Sequence, residues 1–282
     1  MIDALLNFDF IRYSLISGLL IGFIAPLIGA FIVVRRLSLI ADALSHVTLG
    51  GISFGMFLLT IIPVFSVINP MWFGILFAVI GALLIEKLRT SFSNYQEIAI
   101  PIIMSAGIAL SAIFISLADG FNQEIVDLLF GSISAVNISD LTTIIIITII
   151  VLIFIVLFYK ELFILSFDEE YSKVIGIPKW IQFLFIVIVA MVISASMRVV
   201  GILLVSALIT LPIAISMRIT KGFKQLIALS VILGELSVIL GLIIAFYMNI
   251  SPGGVIVVLL VLMLILTMII QKLKIKFKKG VV

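Results

Sequence analysis

The stretch RYSLISGLLIGFIAPLIGAFIVVRRLSLIADALSHVTLGGISFGMFLLT, from Arg12 to Thr60, holds two long apolar runs divided by Arg35 and Arg36. Each exceeds the roughly 20 residues that a helix needs to cross a hydrocarbon layer about 30 Å thick. Water is not the solvent for such a chain. Of its 282 residues 64% are hydrophobic and 11% charged, against roughly a quarter charged in soluble domains. The expected fold class is all-α, a polytopic transmembrane helical bundle. Lipid-facing backbone must close its hydrogen bonds within one segment, and these runs are about twice the length of a barrel strand.

Reading outward from that stretch gives nine expected spans: Arg12 to Val34, Leu37 to Thr60, Met71 to Ile85, Ile98 to Ala118, Leu141 to Tyr159, Trp180 to Met197, Val199 to Met217, Leu226 to Tyr247, and Gly253 to Gln271. The connecting segments Pro63 to Pro70, Ser91 to Asn94, Asp119 to Asp140, Phe167 to Lys179, Lys221 to Lys224 and Asn249 to Gly254 carry the turn residues. Gly120 to Asn137 reads as a partial re-entrant helix. We read residues 1–282 as one membrane domain, without an internal repeat. No cleavable leader is expected, because the first basic residue, Arg12, follows Asp3 and Asp9.

Charge sets the expected orientation. Of the 17 Lys and Arg residues, only Arg12 and Arg198 fall on one side of a nine-span topology. The rest, including Arg35, Arg36, Lys87, Arg89, Lys173 and the tail from Lys272 to Lys279, fall on the other. Basic residues beside helix ends stay cytoplasmic, so the N-terminus is expected outside and the C-terminus inside. The tail reads as a stop-transfer anchor rather than as a binding site for anionic lipid, and a net charge of +3 gives no reason to invoke nucleic acid. With Cys 0, disulfides, thiolate metal sites and cysteine nucleophiles are excluded.

Ionisable residues inside spans are costly in lipid and mark function. Asp42 and His46 lie four apart in the second span and Glu235 lies in the eighth. On a helix Asp42 and His46 share a face, with Cβ atoms about 5 to 6 Å apart, so one cation can touch both. Oxygen plus imidazole nitrogen suits Zn²⁺ and, less selectively, Mn²⁺ or Fe²⁺. The plain alternative is that Asp42 only orients His46 by a hydrogen bond. Glu235 reads either as a third ligand or as a partner for a polar neighbour, and Arg198 as an interface residue in a tight outer turn. Ser14, Gly18, Gly22, Gly51 and Gly55 recur at helix-packing spacing. Pro26, Pro101 and Pro212 can kink or bound helices. The segment DEEYSKVIGIPK, Asp168 to Lys179, reads as a short helix with acids at its start and Gly176 at its stop, or as an ordinary loop. No Gly-x4-Gly-Lys-Ser/Thr phosphate loop, His-Glu-x2-His or Gly-x-Ser-x-Gly occurs, so ATP hydrolysis would need another subunit.

PLIGAFIVVRRLSLIADALSHVTLGGISFG (Pro26 to Gly55) resembles the second-span motif of the permease subunits of bacterial zinc and manganese ABC importers. DLLFGSISAV (Asp127 to Val136), DEEYSKVIGIP (Asp168 to Pro178), VVGILLVSALITLPIAIS (Val199 to Ser216) and SPGGVIVVL (Ser251 to Leu259) follow in that family's order. The resemblance covers nearly the whole chain. It implies a homodimer in the bacterial plasma membrane, with cytoplasmic ABC ATPase subunits and an extracellular metal-binding lipoprotein. It also implies Asp42 and His46 as transient ligands and a coupling helix within Asp168 to Lys179, where Asp168, Glu169, Glu170 and Gly176 would engage the ATPase. The expected function is ATP-driven import of a divalent metal, zinc first and manganese or iron as alternatives, with no permanently bound cofactor. The rivals are a secondary transporter or channel using Asp42, His46 and Glu235 as a relay, and a noncatalytic scaffold.

Overall fold

The computed structural model describes residues 7–62, 69–92, 95–118 and 123–279, with side chains as far as residue 273. In chain order the helices are α1 (Asp9–Val34), α2 (Leu39–Ile61), α3 (Met71–Ser91), α4 (Ala99–Leu117), α5 (Gln123–Phe130), α6 (Ile138–Leu157), α7 (Tyr159–Phe167), α8 (Glu169–Ile175), α9 (Lys179–Val200), α10 (Ile202–Ile219), α11 (Phe223–Met248) and α12 (Pro252–Lys279). All but α5, α7 and α8 are long and apolar enough to cross a membrane, giving 9 candidate spans among the described residues, in agreement with the sequence reading. The connections at 63–68, 93–94 and 119–122 lie outside the described residues, as do the first residues of the expected re-entrant segment.

Several helix ends differ from the expected ones by a few residues, two of them for identifiable reasons. The third span was expected to stop at Ile85 but α3 runs to Ser91, because its charges are satisfied in place. Arg89 Nη1 donates to Glu86 Oε2 at 3.3 Å, and Gln182 Nε2 of α9 donates to Glu86 Oε1 at 2.6 Å. The expected tight turn at Arg198 is instead the last turn of α9. The chain breaks at Gly201, whose φ of +90° is closed to most side chains.

In lipid, helices gain little from hiding apolar surface from one another, so close backbone approach decides the packing. Gly18 and Gly22 of α1 abut Val238 and Leu242 of α11, and Gly51 and Gly55 of α2 abut Phe73 of α3. These contacts give the small residues the packing role expected of them. α1 and α9 are the most buried spans and form the centre, whereas α12 is the least covered. Phe31 of α1 is fully buried and meets Phe223 at 5.2 Å and Tyr159 and Phe185 each at 6.2 Å between ring centroids. This cluster pins α7, and with it α8, at the end of the bundle where the basic residues gather.

At the opposite end, α5 is locked to the break between α9 and α10. Ser132 N donates to Arg198 O at 3.2 Å and Ser251 Oγ to Phe130 O at 2.6 Å. A Cβ on Gly201 would stand 2.5 Å from Phe130 C and 2.6 Å from Gly131 N. Gly201→Ala is therefore expected to destabilise the chain by at least about 1 to 2 kcal/mol from backbone strain alone, read as a lower Tm of the purified protein. An unchanged Tm would show that α5 is not seated there.

Candidate functional site

Asp42 sits in the first turn of α2, where its charge complements the helix dipole, and His46 follows one turn on. Both are half-buried, while Ala41, Ala43, Leu44, Ser45 and Val47 around them are buried. The helix is gripped from its other sides by contacts that do not use the two candidate side chains. Ser111 Oγ of α4 donates to His46 O at 3.1 Å, and a Cβ on Gly107 would stand 2.7 Å from Val47 N and 3.0 Å from His46 C. Thr48 Oγ1 and Ser194 Oγ lie 3.2 Å apart and join α2 to α9. The local sequence supplies small residues where the backbones meet, and this leaves one stripe of α2 open: Leu39, 59% exposed, then Asp42 and His46.

Neither the Asp42 carboxylate nor the His46 imidazole makes a hydrogen bond or ion pair among the described residues. A hydrogen bond donated by His46 to Asp42, which would merely orient the ring, is thus absent. Such groups left unpaired within a span are expensive. Chemically they offer one oxygen and one nitrogen on a fixed helix, an incomplete coordination sphere open on one side.

Glu235 is not placed beside them. α11 packs on α1, α10 and α12 and makes no contact with α2. Glu235 itself is half-buried, on a turn of α11 that rides against Gly22. Among the described residues no three His, Asp or Glu side chains gather as a metal-holding group, so among them the candidate site is the pair alone.

At the basic end, Asp168 to Lys179 folds as the short helix rather than the loop. Asp168 caps α8, its Oδ1 accepting from Tyr171 N at 2.8 Å, and Gly176 ends it in the left-handed conformation with φ +82°. Glu170, Tyr171 and Val174 face outward, Val174 being 82% exposed. Glu169 turns inward to Arg35, at the end of α1, and to Arg89 of α3, each at 3.7 Å. Burial lowers the Arg35 guanidinium's pKa, Glu169 opposes that, and neighbouring Arg89 adds to it. In the sequence Arg35 and Arg89 counted only toward orientation. No pattern signals that they share a carboxylate from a distant segment.

Arg198 is likewise more than an interface residue. Its Nη1 donates to Asp140 Oδ2 at 3.2 Å and to Ala135 O at 3.3 Å, and its Nη2 lies 3.8 Å from Glu124 Oε1.

With this geometry in place, comparison with known proteins gives one consistent picture. The family model described as the ABC 3 transport family matches residues 7–271. The "Probable metal transport system membrane protein" of Treponema pallidum is 32% identical over 94% of this chain and 98% of its own length. The "Manganese import system permease protein ScaB" of Streptococcus gordonii is 30% identical over 91% of this chain and 89% of its own. Among solved structures, "PsaBC from Streptococcus pneumoniae in complex with Fab" superposes with a TM-score of 0.81 at 30% identity, covering 94% of this chain and 93% of that one.

Proposed function

The chain belongs to the ABC 3 transport family, and from that premise we propose that it imports a divalent first-row transition metal, Mn²⁺ or Zn²⁺, using Asp42 and His46 as transient ligands. It is a metal-transport permease, a multi-pass protein of the bacterial plasma membrane and a translocation subunit rather than an ATPase. The observation that carries the ligand assignment is the pair itself: two half-buried ionisable groups, one turn apart on a span, without any partner among the described residues. A group so placed is stabilised by a passing cation and by little else. Two ligands hold a metal loosely enough to release it, where a closed tetrahedral set would retain it.

The open stripe of Leu39, Asp42 and His46 fits a second copy of the chain, which would hide the charges from lipid and double the donors. The outward face of α8 fits a cytoplasmic ATPase, and the opposite end around α5 an extracellular metal-binding lipoprotein. ATP binding outside this chain would then change which side the pair faces, with a different affinity in each state. The name of the Streptococcus gordonii relative favours manganese. The single imidazole per chain favours zinc. A relay through Asp42, His46 and Glu235 has no geometric support within one chain, since α11 and α2 do not touch.

The deciding measurement is metal uptake into vesicles holding this chain, its ATPase and its binding protein. ATP-dependent uptake is expected, with the transported ion named by competition between Mn²⁺ and Zn²⁺. Uptake that needs only a membrane potential would defeat this reading in favour of a secondary transporter.

A further inference from the structure

Glu169 of α8 lies between two nearly buried arginines and closes on neither. Its Oε2 stands 3.7 Å from Arg35 Nη2 and 3.7 Å from Arg89 Nη2, beyond the roughly 3.6 Å at which a contact no longer counts as a hydrogen bond. The two arginines differ in what else they hold. Arg89 also donates to Glu86 Oε2 at 3.3 Å and to Gln96 Oε1 at 3.0 Å. Arg35 has no such reserve: its side chain is 3% exposed, and both Nη1 and Nη2 lack any hydrogen-bond partner.

A nearly buried guanidinium that faces its carboxylate only at 3.7 Å is a loosely satisfied arrangement. Movement of α8 by about 1 Å toward Arg35 relieves it, by forming a charge-assisted bond about 2.8 Å long. Leaving Arg89 costs little, because Glu86 and Gln96 remain. The asymmetry gives the carboxylate a preferred direction of travel.

Arg35 is tied stiffly to the metal-binding pair. The turn from 35 to 38 is closed by Arg35 N to Phe31 O at 3.2 Å, Arg36 N to Val33 O at 3.0 Å, Leu37 N to Ile32 O at 3.0 Å and Ile40 N to Leu37 O at 2.9 Å. Arg36 holds a left-handed φ of +59°, so the turn has few other conformations open to it. α2 starts at Leu39, and Asp42 lies in its first turn. A pull on Arg35 is therefore delivered to the helix that carries Asp42 and His46.

We propose that Glu169 is a positioning residue for transport, closing on Arg35 when the ATPase moves α8, so that the turn at 35–38 shifts α2 and its metal-binding pair. The inference rests on the transport reading above. Glu169 is separate from the outward face of α8, formed by Glu170, Tyr171 and Val174.

The test replaces the pair by apolar residues, Arg35→Met with Glu169→Leu, in the complex with its ATPase. Swapping a buried ion pair for apolar groups of similar volume is neutral or stabilising elsewhere, and Arg89 keeps its other acceptors, so folding is expected. ATP hydrolysis should persist while metal uptake falls about tenfold or more. A second readout is independent of metal. The chain has Cys 0, so Leu39→Cys provides a single thiol on α2, at the start of the stripe proposed to face a second copy. Its modification rate should respond to ATP in the otherwise native chain and become insensitive in the doubly substituted one. Uptake within about twofold of native, or an unchanged ATP response at Leu39→Cys, would overturn the proposal. Should the double variant fail to assemble, Glu169→Gln, read by the same two measurements, decides. If the native chain gates Leu39→Cys with ATP but carries no metal, the import reading falls and the mechanical linkage stands.

Discussion

His46→Ala and Asp42→Ala are each expected to lower metal uptake by about 100-fold or more while changing stability by no more than the roughly 0.3 to 1 kcal/mol that the Asp42 charge contributes at the start of α2. The magnitude follows from coordination chemistry: removing a group that merely supports a ligand costs about 10- to 100-fold in affinity, and removing the ligand itself costs more. The small change in stability follows from the structure. Neither side chain has a hydrogen bond or ion pair to lose among the described residues, and α2 is held by Ser111 on the His46 carbonyl and by Gly107 against Val47. Uptake and Tm should therefore separate. A variant that transports at the native rate would remove the ligand assignment. A fall in Tm matching the fall in uptake would mark the pair as structural.

Arg198→Met is expected to have the largest effect on stability, a loss of roughly 3 to 5 kcal/mol. The Asp140 side chain is 1% exposed, and its charge is balanced by Arg198 at 3.2 Å and by Asn137 N at 3.1 Å. Without the guanidinium a buried carboxylate keeps only a neutral donor. The same substitution frees Ala135 O and Glu124, so α5 loses a second attachment. Thermal unfolding of the solubilised protein measures the loss. Adding Asp140→Leu should recover much of it, since removing both charges leaves none unpaired. A single variant as stable as the native chain would show that Arg198 turns to water instead of to Asp140.

Asp42 and His46 were legible because a helix returns to the same face every fourth residue, whatever surrounds it. Glu235 was equally conspicuous as a charge in a span, yet its position relative to the pair was not. Hydrophobic periodicity in lipid carries no strong inward or outward signal, so nothing local says which helix neighbours which. The same holds for the basic residues. Arg35, Arg89 and Arg198 all marked a side of the membrane, and none announced its carboxylate.

What the sequence by itself determined was the solvent, the number of crossings and the helix face shared by Asp42 and His46, while for Asp168 to Lys179 it left a short helix and a loop both open. All of these follow from composition and from interactions within a few residues. Tertiary structure alone decided that the pair has no partner among the described residues, that Glu235 stands apart from it, and that Glu169 sits between Arg35 and Arg89. It also decided that Arg198 holds Asp140. Each of those joins segments far apart in the chain, where the energy of a charge depends on what packing brings within a few ångströms.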